Sequence, residues 1–120
     1  MFVAVVQFEL LIPGAGSIKD KRRVVKSVKD RLHREHMVSV AEVAHLDDMR
    51  VAGMALTAVN RDGRYLQSLI DSVLAKLRGL HDAELGEVSR EILHGTQLPG
   101  ETTDEQGRPL WTEEERRSGA

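Results

Sequence analysis

Residues 2–12 constrain this chain most. Phe2, Ala4, Val6, Phe8, Leu10 and Ile12 recur at period two, with Val3, Val5, Gln7, Glu9 and Leu11 between them. Successive side chains of a strand point to opposite faces, so the pattern describes a central strand with one wholly buried face. Gln7 and Glu9 interrupt the apolar run, and no basic segment or small-residue cleavage site accompanies it, so it reads as neither a signal peptide nor a membrane span. Pro13-Gly14-Ala15-Gly16 ends the strand, and Ser17 with Asp20 has the spacing of a helix capping box.

From Ser17 to His36 the residues Ile18, Lys21, Val24, Val25, Val28 and Leu32 fall on one side at helical spacing, with the Lys21 stem lying along the stripe. Residues 37–46 and 51–60 return to alternation, joined by a hairpin-length turn at Leu46–Arg50, and Ala52, Met54, Leu56 and Ala58 form the inward set of the second. Asn60-Arg61-Asp62-Gly63 marks a turn and an N-cap. A second helix follows over 63–79, with Leu66, Leu69, Ile70, Val73, Leu74 and Leu77 on its apolar side. Residues 83–93 make a last strand, and its Glu84, Glu87, Arg90 and Glu91 suit an exposed edge. Crossover handedness turns this order into a ferredoxin-like βαββαβ α+β sandwich: a four-stranded antiparallel sheet with both helices on one face.

After Gly95 the composition shifts to Gly, Pro, Thr, Glu, Asp and Arg, with Leu98, Leu110 and Trp111 as the larger apolar groups. Such a segment buries too little to offset its ordering entropy, so 1–94 is expected to be the domain and 95–120 a largely disordered polar tail. Within that tail, Pro109-Leu110-Trp111 ahead of Thr112-Glu113-Glu114-Glu115 suits a short helix formed on a protein partner, or an ordinary loose terminus. There are no cysteines. That excludes a disulfide framework, a thiolate metal site and a cysteine nucleophile, and places the chain in a reducing compartment, the cytoplasm.

Charge is uneven. Residues 1–94 carry 14 basic and 13 acidic side chains, whereas 95–120 carry 3 and 6. The first helix alone holds eight basic against three acidic side chains, net +5, with Lys19, Arg22, Arg23, Lys26 and Lys29 on the face opposite or flanking its apolar stripe. A row of this kind tracks a phosphate backbone by counterion release, or it is a solvated face that serves solubility. Gly14, Gly16 and Ser17 lead into the helix start, where free N–H groups favour an anion, though two glycines before a helix also make a plain turn. His45 and Asp47 at a turn, and His33 with His36 on a helix, hydrogen-bond or cap in the simplest reading, and their spacing selects no metal. No catalytic constellation and no cofactor site emerges. The other sheet face presents Val3, Val5, Gln7, Val51, Gly53, Ala55, Thr57 and Val59, without an aromatic for base stacking. Its small apolar residues point to a homo-oligomer contact through Val3, Val5, Val51 and Val59, or to cover by the tail.

Three segments carry a resemblance: Glu9-Leu10-x-Ile12-Pro13-Gly14, then Ser17-x-Lys19-x-Lys21-Arg22-Arg23-Val24-Val25, then Ser39-Val40-Ala41-Glu42-Val43-x-His45-x-Asp47. Over residues 1–94 the chain resembles the YlxP-like bacterial proteins, a family of undefined function. The resemblance implies a ferredoxin-like fold and genes often placed beside translation initiation and ribosome-maturation factors, hence a role near RNA or the ribosome, and it supplies no reaction. The turn at Ala44, Leu46, Met49 and Arg50 departs from the family pattern. Acylphosphatases share the fold class and use a loop arginine with a strand asparagine, yet here the loop offers no arginine before Arg22 and the single asparagine is Asn60, in a turn. The residues thus favour an RNA- or ribosome-associated binding module that is not an enzyme, with a homo-oligomeric interaction domain as the alternative.

Overall fold

The computed structural model of the chain describes residues 1–98 and 105–108. Its elements run β1 (Phe2–Leu11), α1 (Ile18–His36), β2 (Ser39–Ala44), β3 (Val51–Asn60), α2 (Gly63–Arg78) and β4 (Glu84–His94), then a 3-10 turn at Gly95–Gln97. The strands pair antiparallel in the order β2-β3-β1-β4, with β1 in the centre and β4 at one edge. This is the ferredoxin-like α+β sandwich that the alternation implied.

Both helices cover the face that β1 turns inward. Ala4, Val6, Phe8, Leu10 and Ile12 are buried there, and Ala52, Met54 and Leu56 of β3 lie beside them. From α1 come Val25, Val28 and Leu32; from α2, Leu66, Ile70, Val73, Leu74 and Leu77. These apolar groups form one cluster, and removing their surface from water is the main favourable term in the fold. α1 lies over β2 and β3, while α2 lies over β1 and β4. No helix among the described residues is long and apolar enough to cross a membrane.

Alternation predicts β2 over 37–46, but the paired strand is Ser39–Ala44. Two left-handed residues shorten it. Met37 (φ 54°) closes α1 by donating its N–H to the His33 carbonyl, and His45 (φ 57°) turns the chain out of the sheet. Near that turn β2 bulges against β3 between Glu42 and Ala44. A Cβ on Gly53 would stand 2.6 Å from the Ala44 Cβ, so the bulge requires a glycine at that point. A second bulge, between Phe8 and Leu10 opposite β4, lies at the same end of the sheet.

The described chain also runs past the expected domain boundary at 94. The 3-10 turn continues it to Leu98, with the Gln97 Oε1 accepting the His94 N–H at 3.1 Å. The expectations for Leu110, Trp111 and the capping box at Thr112 lie outside the described residues.

Candidate functional site

α1 starts from a pair of side-chain hydrogen bonds. The Ser17 Oγ accepts the Asp20 N–H at 3.1 Å, and the Asp20 Oδ2 accepts the Gly16 N–H at 2.9 Å. The Ser17 arm is that of an N-cap, while the Asp20 carboxylate reaches one residue past the cap to Gly16, so the capping box that the Ser17–Asp20 spacing suggested is not closed on Ser17 itself. The Gly16 N–H, more than the Arg23 guanidinium beside it, holds the Asp20 carboxyl below the usual carboxylate range. An anion at Gly14, Gly16 and Ser17 would therefore meet a loop whose Gly16 donor is already engaged by a carboxylate of the same chain. A Cβ on Gly14 would meet nothing within 4 Å, so no close approach requires a glycine there.

One turn further in, Lys21 behaves unlike the other cations of the helix. Its stem lies along the apolar stripe, as the spacing predicts, and the nitrogen is buried with it. The Nζ donates to the carbonyls of His45 at 2.8 Å, Val51 at 3.2 Å and Leu46 at 3.4 Å. The Glu42 Oε2 stands 2.8 Å away, yet its angle is off a hydrogen bond, so it acts as the charge partner while the carbonyls take the N–H groups. A buried cation without such partners would cost several kcal/mol, on the order of ~5 or more. Glu42 faces Lys21 because alternation in β2 points Val40 and Glu42 to the helix side, opposite Leu56 and Met54.

The same end is tied twice more. Arg50 donates from Nε to the Ala15 carbonyl at 3.3 Å, and its own carbonyl accepts the Ile12 N–H at 2.8 Å. The His45 Nε2 lies 3.5 Å from the Glu9 Oε2. Strand end, helix start and hairpin turn, the three segments that carry the resemblance, thus converge on Lys21, where the arrangement orders backbone. Asp47, in the hairpin turn, is exposed; its neighbour Asp48 accepts the Arg50 N–H. His33 meets the Val38 carbonyl at 3.2 Å, which is the structural role expected of it. No group of three metal-ligating side chains occurs among the described residues.

The outer side of α1 is the remaining concentration of charge. Lys19, Arg22, Arg23 and Lys26 are exposed and Lys29 is half-buried. With Lys21 withdrawn to Glu42, the surface excess of the helix is one charge smaller than the sequence tally. Arg23 pairs with Asp20, and Lys26 with Asp30 at 2.8 Å. The hydrogen bond from Lys26 pushes Asp30 below the carboxylate range, and the same bond raises Lys26. Lys19 and Arg22 have no side-chain partner among the described residues, and Lys29 adds to the positive charge that lowers Asp30. Arg31 reaches Glu35 at 3.9 Å, and Glu35 also pairs with Lys76 of α2.

Residues 3–90 match a family described as "Protein of unknown function (DUF503)". The chain belongs to this family. Among its relatives the DUF503 chain is similar to "Uncharacterized protein YlxP" of Bacillus subtilis (strain 168), 28% identical over 76 residues, which are 63% of this chain and 83% of that protein. The YlxP-like resemblance read from the three segments is thereby confirmed, and the family match over 3–90 spans α1, β2 and the Lys21 node of this DUF503 domain.

Sequence reading did not single out Glu42 as the partner of Lys21. A signal existed: a carboxylate at an inward position of a strand must be paired, and the one charged residue inside the α1 stripe is Lys21. Nor did it include Arg31 and Arg34, which lie on the flank of α1 toward the α2–β4 connection.

Proposed function

We propose that this DUF503 chain is a non-enzymatic cytoplasmic module that binds RNA, free or within the ribosome, through phosphate contacts from the outer side of α1, with no cofactor. The observation that carries the reading is the unneutralised, exposed pair Lys19 and Arg22 on the outer side of α1, with the half-buried Lys29 further along it beside Asp30. Charges already paired within the helix give up an ion pair when they meet a phosphate; Lys19 and Arg22 do not, and they release counterions in full. Arg23 and Lys26 flank the ridge and join it by exchanging Asp20 and Asp30 for phosphate. The gene setting implied by the family resemblance points the same way. The open sheet face presents no aromatic for base stacking, since Phe2 and Phe8 of β1 turn to the core side, so affinity on this ridge is electrostatic and largely blind to sequence.

The sheet face supports a second reading, a homo-oligomeric contact. Val59 is 63% exposed, and Val3, Val5 and Val51 are half-buried on the side that neither helix covers. An exposed valine amid small neighbours suits a self-complementary patch.

One experiment separates the two. The tagged chain is recovered from cells with and without nuclease, beside a variant with Arg22→Glu and Arg23→Glu. RNA that is lost on nuclease treatment and absent from the variant is the expected result. Self-association that survives nuclease, with no RNA in either sample, would move the sheet-face reading to first place.

A further inference from the structure

The sheet face that neither helix covers is largely apolar and holds no lysine or arginine among the described residues. Val3 lies between Val59 of β3 and Leu93 of β4, and Val5 lies beside Thr57. The Thr57 hydroxyl is used inside the sheet, where it donates to the Ala4 carbonyl at 2.8 Å. Gly53 and Ala55 follow along β3 and keep the middle of the face low. Its charged groups are the carboxylates Glu9, Glu87 and Glu91, with His45 beside Glu9. Arg90 of β4 turns the other way, to Asp71 and Gln67 of α2.

A phosphate finds no lysine or arginine on this face and a base finds no aromatic, so its chemistry does not suit RNA. Its size and charge layout suit a copy of itself. β1 and β3 are ten residues long, in a sheet of four strands. At ~3.3 Å per residue and ~4.8 Å between strands, the face measures roughly 33 by 19 Å, on the order of 600 Å². Two such faces together bury about 1,200 Å², where stable interfaces begin. A twofold axis along the strands lays β4 of each copy over β2 of the other and Val59 over Val3. Glu87 and Glu91 then come over the uncharged Ser39, Ala41 and Val43 of β2, so like charges stay apart while valines meet.

We infer that the open sheet face holds a second copy of the chain, and that the dimer carries its two α1 helices on opposite outer sides as two RNA contacts in one assembly. The second half rests on the RNA reading above; the pairing itself does not. Pairing through the sheet leaves the outer side of each α1 untouched, so the two contacts are compatible. Each α1 has 19 residues and at ~1.5 Å per residue spans ~28 Å, about eight nucleotides at ~3.4 Å. Helix on sheet, sheet on sheet and sheet on helix, at ~10 Å each, set the two helices about 30 Å apart. A strand of about 8 nucleotides therefore fills one helix, and one of about 40 reaches round to both.

Sedimentation equilibrium of the nuclease-treated full chain measures the pairing without RNA. The wild type should weigh two chains at micromolar concentration, and so should Arg22→Glu with Arg23→Glu. Gln7→Glu with Val59→Glu should weigh one, because it sets carboxylates of both copies inside the contact. Both side chains are exposed in the single chain, and an unchanged circular dichroism spectrum confirms that the variant folds. A wild type that weighs one chain at high micromolar concentration, or a dimer that survives the Gln7 and Val59 variant, would overturn the pairing and leave the RNA reading standing. Fluorescence anisotropy with labelled oligouridylates of the two lengths then tests the outward helices. The short strand should bind wild type and the Gln7 and Val59 variant alike, whereas the long strand should bind wild type at least about tenfold more tightly. Equal binding of the long strand by both would overturn the two-sided placement of α1. A mass of two chains with no affinity for either strand would confirm the pairing and remove the RNA reading.

Discussion

Lys21 and Lys19 are two residues apart on one helix and meet opposite fates. At 100° per residue Lys19 points to solvent and keeps an unshared charge. Lys21 points beneath the sheet end, where three carbonyls and Glu42 enclose its nitrogen. The inner cation joins strand end, helix start and hairpin turn. The outer one does nothing for the fold and is available to a partner. The comparison teaches that net charge on a helix says little about binding until each cation is assigned to an interior or an exterior partner. Here the assignment removes Lys21 from the binding count and leaves Lys19 and Arg22, with Lys29 beside them, as its core.

The largest effect expected from this contrast is on stability. Lys21→Ala leaves Glu42 as an unpaired inward carboxylate and strands three carbonyls, so it should cost about 3–5 kcal/mol, a large share of the ~5–15 kcal/mol that holds a domain together. Arg22→Ala should stay within about 0.5 kcal/mol. Lys21→Met combined with Glu42→Leu should recover most of the loss, because an apolar pair of similar volume replaces a buried ion pair at little cost. Urea unfolding reads all three, and equal midpoints for Lys21→Ala and Arg22→Ala would break the contrast.

A smaller effect is expected at the helix start, where Asp20 sits between the two classes. Its folded value lies below the ordinary 3.8, so its charge contributes stability above that pH and loses it as pH falls through the folded value. Asp20→Asn keeps an acceptor for the Gly16 N–H but lacks the charge. Its melting temperature should therefore fall short of wild type at neutral pH and converge with it below about pH 3.8. A gap that widens in acid would contradict the capping account.

The strands were legible because a buried face writes itself as strict alternation: Phe2 to Ile12 and Ala52 to Ala58 needed no other information. The ends of β2 were not. Met37 and His45 take left-handed backbone conformations that residues other than glycine adopt rarely, and nothing in their side chains announces it. The outer row of α1 followed from helical spacing alone. The Lys21 node did not, since its acceptors lie 24 to 30 residues away and are backbone carbonyls, which every residue carries. That Arg31 and Arg34 come beside Leu80 and His81 is set by how the α2–β4 connection packs against α1, a tertiary fact with no local signature.

The most direct test of the central claim, that the outer side of α1 neutralises phosphates, is the salt dependence of RNA affinity. Three to five contacts at about 0.7 each predict a slope of log K against log salt between about -2 and -3.5 for a single strand, and each alanine at Lys19, Arg22 or Lys29 should reduce its magnitude by about 0.7 while affinity falls. A slope near zero, or one unchanged when all three are alanine, would contradict the account and leave the row as a solvated face.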